Sequence, residues 1–205
     1  MTGAPFGSSV DLTETQETTM RQVTYSMGCT LDGYIVGPDG GFDWSVPDEE
    51  VFAQHLHDLR GTSVHLLGRR LHETMLYWES DGPELDPAER EWGRMWRALP
   101  KVVFSTTLTE VTGSNTRLAM GGLAEEINRL RAESDEGEIA IGGADLAAEA
   151  AELDLIDEYR PFVHPVLVGG GRPYLPGLQR QVPLELVSSR VFGSGVIASR
   201  YRVVR

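Results

Sequence analysis

Three short stretches of this chain combine residue types suited to holding a phosphorylated ligand. Leu67-Gly68-Arg69-Arg70 places a glycine and two cations directly after an apolar run. Phe104-Ser105-Thr106-Thr107 ends a second apolar run in hydroxyls, and Ile141-Gly142-Gly143-Ala144 ends a third in two glycines. A helix that begins at such a point offers free N–H groups and the positive end of its dipole, both of which suit phosphate. Arginine adds a bidentate partner for a terminal phosphate, and glycine lets the backbone come close to a ligand. Any one of the three, taken alone, reads equally well as an ordinary turn. Neither the dinucleotide glycine fingerprint nor the P-loop pattern follows these runs.

Other reactive residue types form no constellation. His55, His57, His65, His72 and His164 are scattered without metal-ligand spacing, so no metal site is expected. Cys29 has no paired base in the sequence and reads as a small strand residue rather than a nucleophile. Trp78, Trp92 and Trp96 read as packing residues in or near one helix.

The elements that must position the three junctions follow from periodicity and punctuation. Residues 23–29 and 63–67 read as strands, as do 101–104, 116–118 and 138–141. Helices are expected from Pro47 or Asp48 to about Arg60, over 69–75, from Asp86-Pro87 to about Leu99, over 123–131 and over 144–153. Residues 156–168 read largely as a strand interrupted by Pro161 and Pro165. Residues 184–192 and 196–204, joined by Gly193-Ser194-Gly195, read as a terminal β-hairpin. Strands alternating with helices imply a mostly parallel sheet covered on its faces by helices. In such sheets ligands bind at the C-terminal strand ends, which is where all three junctions fall. Residues 1–20 are polar and small and read as a flexible tail; 21–205 read as one domain.

The balance of charge narrows the function classes. A formal charge of −13 disfavours nucleic acid as a partner, yet leaves room for a local positive site. A single cysteine, no signal-like N-terminus and no long apolar run point to a cytoplasmic protein without a membrane span.

In this order, the junctions and their neighbours resemble the dihydrofolate reductase superfamily. The likeness is to stand-alone proteins similar to the reductase domain of the riboflavin-biosynthesis deaminase-reductase. Its marks run from 26–33 (Ser-Met-Gly-Cys-Thr-Leu-Asp-Gly) through 67–75 and 141–146 to Leu155-Ile156-Asp157-Glu158-Tyr159 and His164-Pro165-Val166-Leu167-Val168-Gly169. The resemblance implies a three-layer α/β/α fold, a mostly parallel sheet with a C-terminal antiparallel hairpin, and NADPH lying across the strand ends. It implies that Gly68 admits the diphosphate, that Arg69 pairs with the ribose 2′-phosphate, and that Arg70 and Leu71 turn N–H groups to phosphate. Leu71 stands where folate enzymes usually have Thr. Ser105, Thr106 and Thr107 would flank the adenosine end, Gly142, Gly143, Ala144, Asp145 and Leu146 the diphosphate, and the backbone of Cys29 and Val36 the nicotinamide. Asp145 is awkward there, because a carboxylate repels phosphate unless it points away or caps backbone N–H groups.

On the substrate side, the ungapped spacing from Gly37 through Trp44 to Glu49 matches dihydrofolate reductase. It puts Glu49 where those enzymes keep the acid that binds the heterocycle and assists its protonation. Glu49 reads alternatively as a first-turn helix acid beside Asp48 and Glu50. Asp32 belongs to the Leu-Asp-Gly signature of the riboflavin-type reductases, or else is a turn acid before Gly33. Leu99 replaces the arginine that folate enzymes use for the glutamate tail, and Val163 stands in the position of the supporting threonine. Ile141 stands where the riboflavin reductases have Glu, and their Asp-Pro/Arg segment is not found. The expectation is an NADPH-dependent reductase acting on a small pyrimidine- or pteridine-type heterocycle. The alternatives are true dihydrofolate reduction, or nucleotide binding without turnover. Riboflavin-type reductases pair as two-fold dimers, and a lone hairpin with apolar sides needs cover. A homodimer is expected on both grounds.

Overall fold

A computed structural model describes residues 20–82, 84–133 and 136–205. The expected tail, apart from Met20, lies outside the described residues. The elements in order are β1 (Val23–Thr30), β2 (Tyr34–Val36), α1 (Glu49–Gly61), β3 (Thr62–Gly68), α2 (Arg69–Met75), α3 (Pro87–Ala98), β4 (Lys101–Phe104), β5 (Thr116–Leu118) and α4 (Leu123–Glu133). They continue with β6 (Glu138–Gly142), α5 (Ala144–Glu152), β7 (Glu158–His164), β8 (Arg172–Pro173), β9 (Leu184–Val191) and β10 (Ile197–Val203).

Eight strands form one sheet in the order β5-β4-β3-β6-β1-β7-β10-β9. The first six run parallel, and β10 and β9 add antiparallel pairings at one side. Adjacent strand residues point to opposite faces, and the core divides accordingly. Leu66 and Val102 pack with Leu123, Ile127 and Ala147 of α4 and α5. Leu67 and Val103 pack with Leu59 and Trp96 of α1 and α3 on the other face. Val51 of α1 extends that second face over Phe162, Phe192 and Val196. The result is the expected three-layer α/β/α arrangement. Among the described residues no helix is long and apolar enough to cross a membrane.

Two expectations change. Pro161 does not interrupt a strand: β7 runs through it, and Pro161 pairs with Met27 of β1. On its other side the pairs with β10 are Ala198 with Phe162 and Tyr201 with Tyr159, so the missing N–H falls in a gap of that ladder. The terminal hairpin also does not project alone. Its strand β10 pairs with β7, and β9 forms the edge, with every residue exposed. The sequence reading also missed a two-stranded ribbon, β2 with β8, in which Val36 lies opposite Arg172.

Candidate cofactor and substrate site

The registers bring the three junctions together. Gly68 lies opposite Phe104, and Leu67 opposite Gly142, so β4, β3 and β6 end level. At that edge α2 begins on Gly68 and α5 on Gly143, and neither start is capped by a side chain. Gly143 has φ +99°, a left-handed backbone that favours glycine, and a Cβ there would stand 3.7 Å from the backbone N of Gly68. A Cβ on Gly142 would meet Leu71 Cδ2 at 2.4 Å and His65 Cε1 at 2.7 Å. Leu71 therefore packs onto the glycine pair, a use for the position that a threonine would not serve equally.

The flanking polar groups are exposed. Arg69 pairs with Glu73 one turn on, at 3.2 Å, and Arg70 is exposed beside it. Ser105 shapes its own turn, with its Oγ accepting from the N–H groups of Thr107 and Leu108. Thr106 and Thr107 face solvent next to it. Ala144 and Leu146 are buried in the first turn of α5, while Asp145 points out and pairs with Arg172. The carboxylate that sat awkwardly in the sequence reading is thus neutralised by a neighbour.

The substrate side lies further along β1 and β7. Cys29 is buried, and burial pushes its thiol up to about 11, so it stays protonated. Val36, at the end of β2, is half-buried. Trp44 and Val168, with Gly37, Asp39, Gly41 and Asp43, line a cleft of about 340 Å³.

Of the three acids at the start of α1, Asp48 accepts from Val51 N as the cap and Glu50 accepts from Gly193 N at 3.0 Å. Glu49 is exposed and makes no hydrogen bond or ion pair among the described residues. Asp32 is fully engaged instead. It accepts from the Thr30 hydroxyl at 2.5 Å, from Gly169 N at 2.7 Å and from Val168 N, and the Thr30 bond, with those to the loop, holds its carboxyl below the ordinary range. It pins the loop after β7 to the end of β1.

The structure corrects the reading of Val163 and supplies a residue the sequence did not single out. Phe162 packs on Val51 of α1, so by alternation His164 shares that face and Val163 points to the other. His164, not Val163, looks toward the start of α1. It is 5% exposed, and burial lowers its pKa. Its ring meets Trp44 edge-on at 5.4 Å, and its Nε2 lies 3.3 Å from where a Cβ on Gly28 would stand. Glycine in the middle of β1 makes room for the imidazole. Trp44 Nε1 is buried with no partner among the described residues, an uncommon condition for a donor. Leu99 and Ile141 are both buried in the core with apolar side chains, and the Leu99 carbonyl accepts from Lys101 Nζ at 2.8 Å.

A mostly parallel sheet ending in an antiparallel hairpin, with paired glycine-started helices at its C-terminal edge, defines an α/β protein of the dihydrofolate-reductase-like class. A dihydrofolate reductase from Enterococcus faecalis complexed with NADP(H) shares this fold, with a TM-score of 0.60 at 16% identity, covering 90% of this chain and 97% of that one. The chain belongs to the RibD C-terminal domain family, whose model matches residues 21–198. It is 30% identical over 183 residues to the uncharacterized protein YyaP of Bacillus subtilis, covering 88% of this chain and 94% of that protein. It is similar to a putative riboflavin biosynthesis protein from Shewanella sp. PV-4, with a TM-score of 0.73 and 26% identity over 91% of this chain and all of that one. Family and fold together make this a riboflavin-pathway-type reductase domain.

Proposed function

We propose that the protein is an NADPH-dependent reductase of a small pyrimidine- or pteridine-type heterocycle. The observation that carries this is the level edge at Gly68 and Gly143, where two helices start without caps beside Arg69. Those free N–H groups, together with a glycine pair that keeps side chains away, fit a diphosphate. When bound, NADPH would supply the hydride. Arg69 would hold the 2′-phosphate, with the Ser105–Thr107 turn beside it. The Cys29 backbone and Val36 would border the nicotinamide. Trp44 Nε1, without a partner among the described residues, and the His164 ring beside it would face the polar edge of the heterocycle. Glu49 is the acid of its triplet left without a structural partner, which supports its role in holding the substrate and its proton. Asp32 serves by fixing the loop at Val168 and Gly169.

The test is NADPH oxidation against a panel of pterins and aminouracils. Turnover of at least one compound is expected, and Glu49→Gln should lower it strongly while leaving NADPH affinity unchanged. NADPH should bind at least about tenfold tighter than NADH, and Arg69→Ala should remove that preference. NADPH binding with no turnover across the panel would leave a nucleotide-binding protein. We also propose a homodimer built on β9, whose Leu184, Leu186, Val187 and Val191 are exposed on an open sheet edge. A light-scattering mass near 22.6 kDa at micromolar concentration would exclude it.

A further inference from the structure

The ribbon of β2 and β8 has no part in the reading above, yet it delivers a cation to the proposed cofactor edge. Arg172 of β8 pairs with Asp145 in the first turn of α5, and its backbone lies opposite Val36. It therefore spans the two places assigned to the diphosphate and the nicotinamide.

The backbone that carries Arg172 is firmly held. Gly171 has φ +117°, and a Cβ there would fall 2.1 Å from Val36 O, so only glycine lets the two strands close. Tyr174 N donates to Gly33 O at 2.8 Å, and Tyr174 and Tyr25 exchange hydroxyl-to-carbonyl bonds at 3.2 and 2.9 Å. Asp32 ties down Val168 and Gly169 just upstream. By contrast, the ion pair itself faces solvent, with the Arg172 side chain 34% and the Asp145 side chain 69% exposed. An exposed pair of this kind holds weakly and opens readily. The segment from Val168 to Tyr174 is thus a rigid mount for a guanidinium that is free to turn.

We propose that Arg172 is a ligand for the diphosphate of the dinucleotide, and that Asp145 occupies it in the meantime. Binding would exchange one anion for another: the guanidinium leaves the carboxylate for the diphosphate, whose two phosphates carry two charges to the carboxylate's one and accept from it just as well. The proposal rests on the cofactor reading given above. It differs from a merely structural ion pair in the sign of one effect. If Asp145 only holds the ribbon to α5, removing its charge harms binding. If it competes with phosphate for Arg172, removing its charge helps.

Calorimetry of the full chain with NADPH, at low salt, tests this with Arg172→Gln and Asp145→Asn. Arg172→Gln should weaken NADPH about tenfold, and Asp145→Asn should tighten it about threefold or more. Adenosine 2′-monophosphate, which carries the 2′-phosphate but neither phosphate of the bridge, should bind both variants as it binds the parent. Both side chains are exposed, and unchanged thermal unfolding will show that the variants fold. NADPH affinity within twofold of the parent in both variants overturns the proposal while leaving the cofactor reading intact. A loss of affinity in Asp145→Asn that matches the loss in Arg172→Gln overturns it too, because the pair is then structural. Failure of the parent to bind either NADPH or the 2′-monophosphate overturns the cofactor reading itself, and this proposal with it.

Discussion

The helices of this protein divide by what closes their first turn. α1 starts on Asp48, whose side chain accepts from Val51 N, and α3 on Asp86, which forms a full capping box with Glu89 behind Pro87. α2 and α5 start on glycines that supply no side-chain acceptor. Away from the proposed cofactor edge, at α1 and α3, the chain satisfies the free N–H groups locally, which stabilises the turn. At the C-terminal edge of the sheet it leaves them open, which costs stability and leaves donors for a ligand. Among these four helices, the uncapped ends are the two at the proposed cofactor edge.

The largest test of this division is steric. Gly142→Val would drive a side chain into Leu71 and His65, and should cost about 3 kcal/mol of stability in urea unfolding, with NADPH binding lost. Retained stability would mean that the glycine pair is not required by packing. Acidity comes next, and it should strike both regions alike. His65, under the open edge, and His55, on α1, are each lowered to about 4, chiefly by burial. A histidine whose folded pKa lies below its unfolded value of 6.5 contributes fully above pH 6.5, and the contribution is lost as pH falls toward 4. Between pH 8 and pH 5 each should cost roughly 2 kcal/mol. His65→Gln should therefore flatten part of the decline in melting temperature; an unchanged slope would show that the buried imidazole is not what titrates.

Supplying the missing cap makes a smaller and sharper test. Gly68 has φ −71° and ψ 154°, which any residue adopts, and a Cβ there would meet only Gly142 O, at 3.9 Å. Gly68→Asp should raise stability by a few tenths of a kcal/mol while weakening NADPH about tenfold, roughly 1.4 kcal/mol. If both quantities rise, α2 has no part in the cofactor site. The smallest effect is expected at the closed end, where Asp86→Ala should cost about 1 kcal/mol of stability and leave NADPH affinity within twofold.

The fold was legible because its signals are local. Asp86-Pro87 announces α3, and the apolar runs that end in glycine mark β3 and β6. The site was legible as far as those junctions extend. What escaped depends on pairing over long distances. The β2–β8 ribbon joins three residues to two across more than 130 positions, and no periodicity exists over so few residues. Arg172 was invisible for that reason. Val163 was taken for His164's place because a one-residue slip in register reverses the face of a strand, and only packing against Val51 and Trp44 settles it. Pro161 looked like a breaker because the gap in the β10 ladder that tolerates it is tertiary.

The position of β1 has a consequence for how this chain is made. β1 lies between β6 and β7, and its first pairs join Val23 to Ile139 and Thr24 to Glu158. β1 thus finds no strand partner in the main sheet until at least 116 further residues, 139 less 23, have followed. At about 5–20 residues per second that is roughly 6 to 23 s of synthesis. Through that interval Val23 and Tyr25, both wholly enclosed in the finished protein, are without their partners. Segments later in the chain, such as β3 with β4, can pair well before then, since His65 and Lys101 are only 36 positions apart. Assembly during synthesis therefore begins with segments after β1, and β1 enters late, into a slot whose second wall, β7, is made after the first, β6.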